Sequence, residues 1–257
     1  MSVYQHYRPE ERPFIDQVLQ WQEDVEVRHQ IRLTDFLDPR QQKIIESVIG
    51  ANDDVSLSFS GGHPLAERRR GLLTPPYITP AEDDFQLTLF SIEYPAKFVT
   101  LEHRDVLGAL MNIGLKREKF GDIYLNEAAI QLVVTSEVAN YVQANLATIG
   151  KANVKLKEIP VAEHTKPVEA WEEAAATVSS LRLDVVLAQF YRLSRTKVLP
   201  YIDKGLVKVN WKVVDQPAFP VEEGDYISVR GFGRVQLKAI EGRTKKDKIR
   251  IRYERLL

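Results

Sequence analysis

The sequence predicts an α+β protein built in three units. Three observations predict it. The hydrophobic period switches between 3.6 and 2 along the chain, so helices and strands are interleaved. Between Phe85 and Ile159 the periods follow the order strand, helix, strand, strand, helix, strand. Charge is also partitioned. Leu181 to Leu257 holds 17 Lys and Arg against 9 Asp and Glu, net +8, while the other 180 residues hold 18 against 27, net −9.

The chain has 257 residues, enough for two or three domains, with 44% hydrophobic and 28% charged residues. It has no cysteine. Disulfides, thiol nucleophiles and cysteine-ligated zinc are thereby excluded, which suits a reducing compartment. Met1 to Pro13 is polar and charged, without an apolar signal core. No uncharged apolar run is long enough to span a bilayer. The expectation is a cytoplasmic protein with no membrane insertion. A basic module on an acidic body is the footprint of a polyanion-binding domain, with a solvated basic surface as the alternative.

Residues 1–80 read as an N-terminal α/β unit. Phe14, Ile15, Val18, Leu19 and Val25 form a helical stripe on Glu11 to Arg28. Asp38-Pro39-Arg40-Gln41 is a helix start: Asp38 is the N-cap, Pro39 sits in the first turn, and Gln41 is placed for a capping box. Ile44, Ile45 and Val48 continue that face. Val55, Leu57 and Phe59 alternate as a strand, and Ser60-Gly61-Gly62 is a turn. Without a Lys-Ser/Thr pair it is not the usual phosphate-binding loop. Arg68-Arg69-Arg70 reads first as a solvated face and second as an auxiliary basic patch. Leu73 to Asp84, with Pro75, Pro76 and Pro80, reads as a connection.

Residues 81–162 give the second unit. Leu87, Leu89 and Ile92 mark a strand, and Val106, Leu107, Leu110 and Met111 a helix over His103 to Asn112. Short strands follow at Ile123 to Leu125 and Ala129 to Thr135. A helix is expected over Glu137 to Ile149 and a closing strand over Val154 to Ile159. This is the split βαβ order of ferredoxin-like and RNA-recognition folds. Lys116, Arg117 and Lys119 cluster between Gly114 and Gly121. They read equally as a backbone clamp on RNA and as a solvated turn with glycines at positive φ. Residues 163–180 read as a partly helical linker, from Pro167, Glu169, Glu172, Glu173 and an alanine-rich centre.

Residues 181–257 form the third unit. Leu183, Val186, Leu187 and Phe190 repeat at helical spacing. Ser194 can N-cap a second helix, and Gly205 stops it where a positive φ is wanted. Pro200 removes a donor inside that helix and is expected to kink it. Val207 and Val209 then alternate with Lys208 and Asn210 as a strand. Val235 to Glu241 and Lys248 to Glu254 alternate as a hairpin with a basic turn.

The R-L-D of Arg182–Asp184, the S-R-x-K of Ser194–Lys197, the G-x-V-x-V-N of Gly205–Asn210 and the G-D-x-I-x-V-R-G of Gly224–Gly231 follow one another at close spacing. Together they resemble the RNA-binding domain, or alpha-L motif, of ribosomal protein S-four. Adding Ala66-Glu-Arg-Arg-Arg70 and the run from His103 to Ile123, nearly the whole chain resembles the YlmH family of bacterial proteins. That resemblance implies a ribosome-associated RNA-binding protein whose genes lie near cell-division genes. Relatives with only the C-terminal domain bind large subunits carrying stalled peptidyl-tRNA, so it also implies a role in ribosome quality control.

The sequence offers no complete catalytic pattern beside this reading. The Asp of R-L-D is the nucleophile in pseudouridine synthases, but here it belongs to the domain's own opening, where Asp184 is expected to orient a neighbouring basic residue. There is no methyltransferase glycine loop and no synthetase lysine-serine loop. His6, His29, His63, His103 and His164 lack metal-ligand spacing. No catalytic residue, metal or cofactor is expected. The expected function is non-catalytic binding of structured RNA, rRNA or tRNA on the ribosome, and not of DNA. The alternatives are an RNA-modifying enzyme anchored by the domain and a cell-division-linked adaptor. The RNA-facing set is Arg182, Arg195, Lys197, Lys204, Lys208, Asn210, Lys212, Arg230 and Arg234. The auxiliary set is Lys116, Arg117 and Lys119, with Arg68, Arg69 and Arg70. Arg182, Arg195, Lys197, Lys208 and Asn210 are expected to form one continuous surface.

Overall fold

The structure is a computed structural model that describes residues 4, 7–50, 52–125, 129–165 and 171–256. It mixes helix and strand, as the period switching implies, in two compact units, Met1–Val168 and Glu169–Leu257.

The first unit begins with α1 (Arg12–Arg28), whose Ile15, Val18 and Val25 are buried at helical spacing. Strand β1 (Arg32–Leu37) follows, then α2 (Pro39–Ile49). The capping box forms as the sequence dictates: Gln41 N–H donates to Asp38 Oδ1 at 2.9 Å, and Asp38 N–H donates to Gln41 Oε1 at 3.0 Å. Strands β2 (Ser56–Ser60) and β3 (Arg69–Thr74) complete an antiparallel sheet of order β1-β3-β2. Strands β1 and β3 go beyond the expected elements. The central strand β3 contains two of the three arginines, so their charge hid its buried run Gly71-Leu72-Leu73.

The same unit continues with β4 (Leu87–Glu93), α3 (His103–Asn112), β5 (Phe120–Leu125), β6 (Ile130–Thr135), α4 (Ser136–Asn145) and β9 (Lys155–Ile159). Its sheet order, β5-β6-β4-β9, is antiparallel throughout. That is the ferredoxin-like arrangement. Between α4 and β9 lies a small hairpin, β7 (Thr148–Ile149) with β8 (Ala152–Asn153). The second helix is therefore shorter than expected: Gly150 at φ +58 turns the chain so that buried Ile149 pairs with buried Ala152.

Helices α3 and α4 cover one face of this sheet, burying Val106, Leu110, Val142, Phe90, Leu132 and Val134. On the other face Leu89, Val133 and Tyr124 pack with Phe36 of β1. The close approach of Phe36 has a specific requirement. A Cβ on Gly121 would lie 2.7 Å from the Phe36 ring. Gly121 is thus a strand glycine that admits a neighbouring ring, not a positive-φ loop residue.

The second unit opens with β10 (Trp171–Val178), which pairs in unbroken antiparallel register with β15 (Ile249–Leu256). The expected partly helical linker is therefore a strand over Trp171–Val178. Ala174, Ala176 and Val178 pack on the core, while Ala175 occupies the other face. Alanine on both faces masks the period of two, and pairing overrides its helix propensity. Pro167 and Glu169 of that linker lie outside the described residues. Next come α5 (Leu183–Phe190), α6 (Arg195–Asp203), β11 (Val207–Val209), β12 (Lys212–Val213), β13 (Tyr226–Val229) and β14 (Gly233–Arg243). The sheet order is β10-β15-β14-β13-β11-β12. Helix α6 runs on through Pro200 to Asp203.

Gly121→Ala should lower the melting temperature, by an amount corresponding to about 1–3 kcal/mol for an overpacked core. Adding Phe36→Leu should restore part of that loss, which a double-mutant cycle of thermal melts measures.

Candidate nucleic-acid interface

The N-terminal ends of α5 and α6 meet at one carboxylate. Asp184, in the first turn of α5, is 1% exposed. It accepts from Arg182 Nε at 3.1 Å and Nη2 at 3.3 Å, and it is ion-paired with Arg195 Nη2. Burial alone would raise the pKa of Asp184, but the two guanidiniums outweigh it and hold the carboxyl below its usual range. In return Asp184 raises the pKa of Arg182. The arginine side chains remain 45% and 58% exposed, so donors not facing Asp184 face solvent. One carboxylate thus fixes two guanidiniums at adjoining helix starts. Ser194 caps α6, its Oγ accepting from Lys197 N–H at 3.4 Å, and the Lys197 side chain is exposed in that first turn.

The backbone around Asp184 is fixed by the loop before β13. Leu183 N–H donates to Phe219 O at 2.9 Å and Asp184 N–H to Pro217 O at 3.1 Å. These carbonyls satisfy amides that the start of a helix leaves without partners.

The other members of the expected set are distributed differently. Lys204 is exposed at the end of α6, before Gly205 at φ +66. Val207 and Val209 point into the core shared with α5 and α6, so Lys208 lies on the opposite side of the sheet. There it pairs with Ser228, which pairs in turn with Arg234. Lys212 and Arg230 are exposed, and the Arg234 guanidinium stands 5.7 Å from the centre of the Trp211 ring. The expected single surface therefore divides between the helix starts and the far side of the sheet.

Asn210 belongs to neither. It is 7% exposed at φ +48, in the two-residue turn between β11 and β12. Its Nδ2 donates to Asp225 Oδ1 at 2.8 Å, and its Oδ1 accepts from Tyr226 N–H at 3.0 Å. The alternation of Val207 and Val209 stops one residue before Asn210, which is where the strand reading went too far.

The auxiliary set is largely structural. Arg68 and Arg70 are each 5% exposed. Arg68 donates to Phe36 O at 3.1 Å; Arg70 donates to Thr34 O at 2.7 Å and Phe85 O at 2.9 Å. Arg69 donates to Gln42 Oε1 at 2.6 Å and lies over Phe59. The patch is thus not a surface: Arg68 and Arg70 tie carbonyls of β1 and of the chain entering β4. Arg117 bridges Phe120 O and Gly121 O, and Lys119 joins Asp35 to Glu137. Burial lowers the Lys119 pKa, but these two carboxylates reverse the shift and raise it. Lys116 is the exposed member, 3.9 Å from Glu118.

His63 and His164 lie edge-on at 4.2 Å, a proximity their sequence positions did not suggest. His63 Nδ1 accepts from Leu65 N–H at 2.9 Å, a local turn role. His6 lies outside the described residues. Among the described residues, no group of three or more His, Cys, Asp or Glu is placed to hold a metal, and no helix is long and apolar enough to cross a membrane.

Three family models match the chain. They are described as "YlmH, N-terminal" over residues 10–78, "Putative RNA-binding domain in YlmH" over 80–163, and "S4 domain" over 181–227. The Bacillus subtilis (strain 168) protein named "Ribosome-associated protein quality control protein P2" is 52% identical over 254 residues, covering 99% of this chain and 98% of that protein. A solved structure titled "Cell division protein ylmH from Streptococcus pneumoniae" is 34% identical with a TM-score of 0.55, covering 64% of this chain and all of that one.

Asp184→Asn should separate placement from charge. It adds one net positive charge yet frees both arginines, so RNA affinity should fall. Melting at neutral pH should drop by about 1–3 kcal/mol for the lost charge-assisted bonds. Because the native pKa is lowered, that stability is present above the unfolded value and is lost as pH falls through the native one. Melts from pH 7 to below about 4 should show the two proteins converging.

Proposed function

The chain belongs to the YlmH family and carries its RNA-binding domains, and from that premise we propose that it is a non-catalytic, cytoplasmic protein that binds structured RNA on the ribosome. The Arg182–Asp184–Arg195 arrangement is the observation that carries this reading. It places two oriented guanidiniums beside the capped start of α6, where helix amides and dipole also favour an anion. The +8 charge of Leu181 to Leu257 supplies the surrounding field.

The mechanism is phosphate neutralisation in fixed register. Lysine and arginine side chains displace counterions from RNA, and the locked arginines set the orientation. Paired RNA presents a deep, narrow major groove, so recognition is by shape and backbone. The partner we infer is rRNA or tRNA on the large subunit, in complexes with stalled peptidyl-tRNA. The name of the Bacillus relative and the S-four-type domain support this; DNA and membranes are not among the inferred partners.

The test is salt-dependent binding by the full chain. Lys197→Ala should reduce the slope of log affinity against log salt by about 0.7–0.9, one phosphate contact, without a change in melting temperature. Lys197→Glu with Lys204→Glu should abolish co-sedimentation with ribosomes. Retained co-sedimentation and an unchanged slope would refute the reading. Crosslinking in cells followed by sequencing of the attached RNA would identify the partner.

A further inference from the structure

The far side of the C-terminal sheet carries a row of aromatic rings. Ile227, Val229, Val235, Leu237 and Ile251 point inward to α5 and α6. Alternation leaves Tyr226, Ser228, Arg234 and Lys208 on the other side. There Trp171 of β10 lies edge-on to Tyr226, with centroids 6.4 Å apart. Tyr226 meets Trp211 at 5.3 Å, and Arg234 stands over Trp211. All four side chains are partly exposed, while Gln236, the ladder partner of Tyr226, is buried. The row therefore covers the sheet and still presents its own surface to solvent.

Trp211 occupies a costly backbone position. It follows Asn210 in the turn between β11 and β12, with φ of +64 after +48. Two positive φ values in a two-residue hairpin turn favour Asn-Gly. Asn210 has a fold reason to be there, through Asp225 and Tyr226. A bulky residue at the second position is strained where glycine would be relaxed. What the tryptophan gains is its ring, set between Tyr226 and Arg234.

We propose that Trp211, Tyr226 and Trp171, flanked by Arg234 and Lys208, form a stacking platform for unpaired nucleobases of RNA. This rests on the RNA-binding function proposed above and adds a second ligand class to it. Unstacked bases bind by laying their π-faces on aromatic rings and guanidinium planes, and cations alongside take up the phosphates. The charge of this side favours RNA over an acidic peptide or a purely apolar segment. Lys208 is exposed beside the row, with Arg234 partly so, and of the carboxylates on this side Glu254 is engaged by Lys238 at 3.2 Å while Glu173 lies out on the β10 edge. The helix starts then hold paired RNA by its backbone, and the platform takes bases displaced from pairing.

The experiment uses the full chain with Trp21→Phe, so that Trp171 and Trp211 are the emitting tryptophans. A short single-stranded oligouridylate and a fully paired RNA hairpin are titrated separately. The single strand should quench tryptophan emission. Trp211→Gly, which suits the positive φ, should weaken single-strand binding on the order of tenfold. Its affinity for the hairpin and its salt slope should stay as in the parent, and Trp211→Phe should retain single-strand binding. Lys197→Glu should weaken the hairpin instead. Unquenched emission, or equal single-strand affinity in Trp211→Gly, overturns the platform while leaving the hairpin result to stand. A large loss of melting temperature in Trp211→Gly also overturns it, because the ring would then be part of the core. Failure of the parent protein to bind either RNA removes both this proposal and the function on which it rests.

Discussion

Asp184 keeps its charge although almost none of it reaches water, and two arginines from different helices make that possible. A buried carboxylate without donors would shift its pKa and neutralise. The same demand recurs through the chain. Asp24 is 1% exposed and holds Arg28 and Arg32; Glu11 holds Arg40. Asp122 accepts from the backbone amides of Glu67 and Arg68, yet burial still pushes its pKa up to about 6. Asp225 accepts from Asn210 and from Glu222 N–H. These pairings decide which basic side chains are committed to the fold. Arg182 and Arg195 stay about half exposed on Asp184, as Arg28 and Arg32 do on Asp24, so in both places a fold-level pairing also presents charge outward; the Asp184 pairing does so within the unit of net +8.

The middle sheet illustrates the converse. A ferredoxin-like sheet that binds single-stranded RNA uses aromatic side chains on the open face of its central strands. Here that face of β4 and β6 carries Leu89 and Val133, and Phe36 packs against them. The position where a base would stack is occupied by a ring from the preceding subdomain, admitted by Gly121. The fold is shared with RNA-recognition domains while this route to RNA is closed.

How much was legible depended on whether a residue's role was local. The capping box at Asp38 and the cap at Ser194 are set by spacing within one turn, and both form as read. The six main elements of the middle region, and α5, α6, β11 and the β14–β15 hairpin of the C-terminal unit, were legible because they rest on local periodic runs and caps; β7, β8, β10, β12 and β13 were not. What the sequence pattern does not show depends on partners distant in sequence. Arg68 and Arg70 look like surface charge until β1 and the chain entering β4 supply carbonyls to them. Strand β10 looks helical until β15 pairs with it. Asn210 looks like one more alternating residue until Asp225 draws its amide inward. In each case the local pattern was real, and a non-local hydrogen bond decided the outcome.

The charge balance gives these placements their weight. The chain is nearly neutral as a whole, so the field of the C-terminal +8 attracts a polyanion only at short range. Salt screens exposed charges beyond about 8 Å at physiological ionic strength. Binding must then come from contacts close enough to escape screening. At that range orientation matters as much as charge, because a freely rotating arginine loses conformational entropy on meeting a phosphate. Asp184 has already imposed that loss on two of them during folding. In the function proposed above, the buried carboxylate, which subtracts from the net positive charge of the domain, is in this way what orients its remaining positive charge.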